Sequence, residues 1–116
     1  MAESPTDVLT AFQRNLPKLQ KAIPDVMADF MKRLMPDALK DGALTTKVKE
    51  LIALGIAVSA QCDYCMAIHV KKCFEAGATK EEIAEVLGVA VLMGGGPAMT
   101  HATFVAQAIE EFAPKG

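Results

Sequence analysis

The chain has no tryptophan, a single tyrosine and no run of basic residues, and its 12 lysines and arginines are outnumbered by 14 acidic side chains. Proteins that grip nucleic acid need stacking aromatics or a basic stripe, so nucleic acid is excluded as a principal partner. Charge is scarce as well: 22% of residues are charged, against 52% that are apolar, and the formal net charge is only −2. Disordered chains show the opposite balance, so these 116 residues are expected to fold around a core, as one domain over 1–116. The opening Met1-Ala2-Glu3-Ser4-Pro5-Thr6-Asp7 lacks the basic start and apolar run of a secretory signal. There are just three cysteines, an odd count. In the reducing cytoplasm, the expected location, that count excludes a structural disulfide framework. It leaves redox chemistry or metal binding for the two cysteines that lie three apart, Cys62 and Cys65.

Charge is absent altogether from 86 to 109, a stretch long enough to cross a bilayer. Gly94-Gly95-Gly96-Pro97 interrupts it, and Thr100, His101, Thr103 and Gln107 follow. Neither half suffices alone, so no membrane span is expected. The better reading is two short helices whose apolar faces are covered by protein, another subunit included.

What is present is helical. Alanine, leucine, methionine, lysine and glutamate abound, and no long stretch alternates at period two. The pattern predicts an all-α fold of about six helices. Ser4 caps the first, with Pro5 at its first position, and Pro17 is expected to end it. A second begins at Pro24, carries Met27, Phe30, Met31, Leu34 and Met35, and is expected to stop within 36–42, from Pro36 to Gly42. Thr45 or Thr46 caps a third, apolar nearly all round from 51 to 60 and therefore expected to be buried on both sides. After a break at 59–62 comes a helix over 63–75, closed by Gly77. Thr79 and Glu82 form a capping box for the next, with Ile83, Val86, Leu87 and Ala90 on one face. Beyond the triple glycine, Pro97 starts the last, striped by Ala98, Ala102, Val105, Ile109 and Phe112.

Chemistry concentrates in Cys62-Asp63-Tyr64-Cys65-Met66-Ala67-Ile68-His69. On a helix Cys62 and Cys65 differ by about 60° and Cys65 and His69 by about 40°, so all three share a face. Cys62 falls at the helix start, where free backbone N–H groups favour its ionisation. His69, one turn past Cys65, can take up a thiol proton. If the chain reverses near Ala60, Glu50 lies ten residues before the turn and His69 nine after it, so an antiparallel pair sets them side by side. A carboxylate there would hold the imidazole in one tautomer, giving a Glu–His–Cys relay. A thiolate of this kind attacks a peroxide oxygen to give a sulfenic acid, and a second thiol one turn away condenses with it to a disulfide.

The pattern Glu50-x11-Cys62-x2-Cys65-x3-His69, followed by Glu75-Ala76-Gly77 and Gly94-Gly95-Gly96-Pro97-Ala98, resembles the AhpD-like alkylhydroperoxidases of the carboxymuconolactone decarboxylase superfamily. The likeness runs from about 44 to 112. It implies an all-helical homo-oligomer, a trimer or hexamer, with the CxxC opening a central helix near subunit contacts. It also implies reduction of organic hydroperoxides with no metal or organic cofactor, and re-reduction of the disulfide by dihydrolipoamide or a thioredoxin-like protein. Carried over by position, Cys65 is the peroxide-attacking thiol, Cys62 the resolving thiol, and His69 with Glu50 the proton relay. Some family members have histidine where this chain has Tyr64, whose phenol is a poorer proton carrier near neutral pH. Tyr64 and His101 are further pocket candidates.

Other readings of the same residues are a general disulfide oxidoreductase or redox adaptor, a non-redox decarboxylase-like protein, or zinc held by Cys62, Cys65, His69 and Cys73. On one helix Cys62 and Cys73 lie about 16 Å apart along the axis, too far for ligands that must converge within about 4 Å of each other. Cys73 and the methionines Met27, Met31 and Met35 read as core or interface.

Overall fold

The computed structural model describes residues 3–115, in which every regular element is helical. In chain order these are α1 (Pro5–Ala22), α2 (Pro24–Ala28), a π-helical stretch (Asp29–Leu34), α3 (Met35–Leu39), α4 (Thr46–Ser59), α5 (Asp63–Glu75) and α6 (Lys80–Phe112).

Caps set most boundaries. Ser4 accepts the Asp7 N–H while Asp7 reaches back to Ser4, and Thr79 and Glu82 do the same for α6. Thr45 caps α4 through the Val48 N–H. At the end of α5, Gly77 sits at φ 92°, with Ala78 N–H bonded to the Cys73 carbonyl and Gly77 N–H to that of Phe74. That pair of bonds is the Schellman motif, for which glycine is the low-cost residue. Gly95 stands at φ 67°, ψ −148°, inside α6 and outside helical geometry, so α6 is two helices joined at a kink, as the triple glycine predicts. By length and composition α6 would pass for a membrane span. The kink divides it, and both halves carry residues of the core.

The core lies where α4, α5 and α6 meet, among Leu54, Val58, Met66, Val70, Ile83 and Val105. The predicted stripe after Pro97 holds: Ala98 and Val105 are buried, and Ile109 and Phe112 pack beside them. Against this unit lies α1, anchored by Val8 and by Thr6, whose N–H (2.9 Å) and hydroxyl donate to Glu111 near the end of α6.

Two expectations fail. Helix α1 runs through Pro17 to Ala22 rather than ending before it. Pro17 and Gln13 are both exposed, so water can satisfy the carbonyl that the proline leaves without a donor. The second helix, by contrast, runs through Pro36 and stops at Leu39, inside the expected 36–42. The π-helical stretch just before it widens the turn, with Met35 N–H bonded to the Phe30 carbonyl five residues back, which gives the ring room. Finally, α4 is not buried on both sides: Leu54 and Val58 are fully covered, but Ile52 and Ile56 are 48% and 63% exposed.

Candidate redox site

The site is built on the α4–α5 hairpin. Its turn is minimal. Gln61 adopts a left-handed φ of 57°, and Cys62 N–H bonds back to the Ala57 carbonyl at 3.2 Å. Helix α4 is thereby closed, and Cys62 becomes at once the N-cap of α5. The Cys62 sulfur accepts the Cys65 backbone N–H at 3.2 Å and is bonded to the Cys65 sulfur, with the two Cα atoms 5.2 Å apart. A sulfur at a helix start that receives a backbone N–H is stabilised as an anion when the disulfide opens. Both cysteines are half-buried, within reach of solvent.

From the opposite helix Glu50 meets His69, with Nδ1 2.8 Å from Oε1. A carboxylate oxygen only accepts, so Nδ1 carries the hydrogen and Nε2 is left free on the face shared with Cys65 one turn earlier. Glu50 is 4% exposed, so its charge is not that of an ordinary solvated helix residue. His69 keeps partial access to water. The hairpin thus brings four of the predicted residues, Glu50, Cys62, Cys65 and His69, onto two facing helices.

The other two candidates lie elsewhere. Tyr64 is half-exposed and turned toward α1, its ring centroid 6.4 Å from that of Phe12, where it lines a cleft with Leu16 and Leu19. His101 donates from Nδ1 to the carbonyl of Pro97 at 2.9 Å, within its own helix. Cys73 is completely buried in the core. Burial pushes its thiol up to about 12, and the nearby Glu50 carboxylate acts in the same direction. Among the described residues no cluster of three histidine, cysteine or acidic side chains is placed to hold a metal ion. Sequence reasoning missed Gln61. A left-handed glutamine has no signature of its own, although the short spacing between the end of α4 and Cys62 demands so tight a reversal.

An all-helical chain with a dithiol at a helix start and a buried carboxylate–imidazole pair beside it defines the class. A model of the carboxymuconolactone decarboxylase family matches residues 24–108, and the chain belongs to that family. An uncharacterised protein of Cupriavidus necator is 40% identical over 95 residues, covering 82% of this chain and 83% of its own. The crystal structure of a carboxymuconolactone decarboxylase family protein from Legionella pneumophila superposes with a TM-score of 0.89 at 40% identity, covering 95% of this chain and 97% of that one. A Thermotoga maritima family member, for which a part in the antioxidative response has been suggested, superposes with a TM-score of 0.77 at 28% identity over 90% of this chain and 88% of its own.

Proposed function

We propose that the protein is a thiol-dependent peroxidase that reduces organic hydroperoxides by cycling Cys62 and Cys65 between dithiol and disulfide. The observation that carries this reading is the 2.8 Å Glu50–His69 contact, which places an oriented imidazole one helical turn from a CxxC pair. In the reduced protein His69 takes the Cys65 proton. The Cys65 thiolate attacks the terminal peroxide oxygen and the O–O bond breaks. The departing alkoxide takes the proton from His69 and leaves as alcohol, with Cys65 as sulfenic acid. Cys62, its thiolate supported by the Cys65 N–H, then attacks the Cys65 sulfur, and hydroxide leaves as water with the proton released by Cys62. Glu50 stabilises the imidazolium for as long as His69 holds that proton. An external dithiol, of the dihydrolipoamide or thioredoxin-like class, reduces the disulfide by exchange. Neither a metal nor an organic cofactor enters this cycle. The reducing cytoplasm is its setting, and a homo-oligomer its form.

The antioxidative role suggested for the Thermotoga relative supports the same reading. A second reading, general disulfide oxidoreduction, draws on the N–H bond to the Cys62 sulfur, which suits Cys62 to thiol–disulfide exchange. Replacing Cys65 with serine decides between activity and none: consumption of cumene hydroperoxide driven by dihydrolipoamide should fall to the uncatalysed rate. Full activity in Cys65→Ser would end the proposal, and a wild type that reduces protein disulfides but not the hydroperoxide would transfer it to the second reading.

A further inference from the structure

Helix α1 reaches past the dithiol end of α5. Beside the later turns of α5, Leu9 and Gln13 of α1 line a hollow with Lys72 and Glu75, whereas Phe12 meets Tyr64 in the first turn. The two helices therefore run antiparallel, and Leu16 and Leu19 extend beyond the start of α5, the end that carries Cys62. Under this overhang lies an open cleft of about 200 Å³, walled by Ala11, Phe12, Leu16, Leu19 and Tyr64, with Asn15 on its edge. Cys65 stands on the α1 side of α5. Lys72, seven residues on and so only about 20° away round the helix, borders α1. Tyr64, directly before Cys65, is thus a wall of a cleft that opens beside the reactive sulfurs.

Shape and lining select the occupant. From Ala11 to Leu19 the cleft follows α1 for eight residues, about 12 Å, which suits an extended chain better than a compact ring. Its walls are apolar and favour hydrocarbon. At the Asn15 edge, Lys18 Nζ donates to Asn15 Oδ1 at 3.1 Å. That amide is neutral, and Lys18 forms no ion pair among the described residues, so an anionic end group finds the ammonium uncommitted. Lys18 lies six residues, about 9 Å, along α1 from Phe12, which is level with Tyr64. A docked protein would need about 800 Å² of surface, far more than these few side chains present.

We propose that the α1/α5 cleft binds the hydrocarbon chain of a medium-chain fatty-acid hydroperoxide, with the –OOH group at Cys65 and the carboxylate toward Lys18. The proposal rests on the peroxidase reading and names its substrate class. Tyr64 then serves specificity, as a wall for the chain.

Tyr64 is the only tyrosine and tryptophan is absent, so the intrinsic fluorescence of the protein reports on this cleft alone. Titration of the full chain with decanoate, an unreactive probe, should change that emission saturably. Leu16→Ala, which lies outside the buried core, should weaken binding about tenfold, and Lys18→Gln about threefold, each with the circular dichroism of the wild type. Decanol should bind wild type and Lys18→Gln alike. In turnover driven by dihydrolipoamide, Leu16→Ala should raise the KM for ω-hydroperoxydecanoate about tenfold relative to that for tert-butyl hydroperoxide. Emission that never saturates, or binding indifferent to Leu16→Ala and Lys18→Gln, overturns the proposal. A raised KM for dihydrolipoamide in place of the hydroperoxide overturns it too, by assigning the cleft to the reductant. A wild type that binds decanoate through Leu16 and Lys18 but turns over neither hydroperoxide would uphold the cleft and end the peroxidase reading.

Discussion

The hairpin of α4 and α5 and the arm of α2 and α3 are both apolar helical segments, yet only the hairpin contributes side chains to the buried core of the chain. Its inward side chains reach zero exposure, its one buried carboxylate is bonded to His69, and its turn satisfies the helix ends on either side. The arm buries nothing, and its largest side chains face outward. The difference separates two uses of hydrophobic surface. The hairpin uses it to hold Glu50, Cys62, Cys65 and His69 in place, and the arm leaves it uncovered within the chain.

Hydrogen exchange on the folded protein should sharpen that contrast most. Arm amides should exchange through local opening and hairpin amides near the global limit, a difference of roughly 10²–10³-fold in protection. Equal protection in the two segments would erase the distinction. Next in size is Glu50→Gln, which keeps an acceptor for His69 but removes the charge. Peroxide turnover should fall about 100-fold and its pH dependence should change, while sedimentation stays as in wild type. Unchanged turnover in Glu50→Gln would show that the carboxylate charge plays no part at the site.

Smaller effects probe the frame that holds the two regions. Gly95→Ala forces a Cβ into a backbone region nearly reserved for glycine, and should lower unfolding free energy by about 1–3 kcal/mol in denaturant titration. Cys73 should resist alkylation in the folded protein at about pH 9 and react on unfolding, because burial holds its thiol neutral up to about 12. A raised thiol has a definite sign: its contribution to stability is whole below the ordinary thiol range and is lost as pH rises through about 12. Smallest is Gln61→Gly. It relieves a left-handed φ but loosens the unfolded chain, for a net gain of about 0.5 kcal/mol.

Much of this was legible in the residues. Caps at Ser4, Thr45 and Thr79, the stop at Gly77 and the break at Gly95 follow from side chains acting on backbone groups within a few residues, which is the range that sequence reports. Counting from the reversal near Ala60 also places Glu50 opposite His69, because an antiparallel helix pair converts sequence offset into height. Pro17 misled for a physical reason. A proline ends a helix only where the orphaned carbonyl or the ring has nowhere to go, and at Pro17 the carbonyl is open to water. The exposure of Ile52 and Ile56 was illegible in principle: hydrophobic periodicity reports that a face must be covered, not whether the same chain covers it.

Mass spectrometry of the reduced protein, treated with one equivalent of an organic hydroperoxide, addresses the central claim directly. The account predicts loss of two hydrogens, mapped to a bond between Cys62 and Cys65, with Cys73 still free and the original mass restored by dihydrolipoamide. Unchanged thiols, or oxidation falling on Cys73, would contradict it.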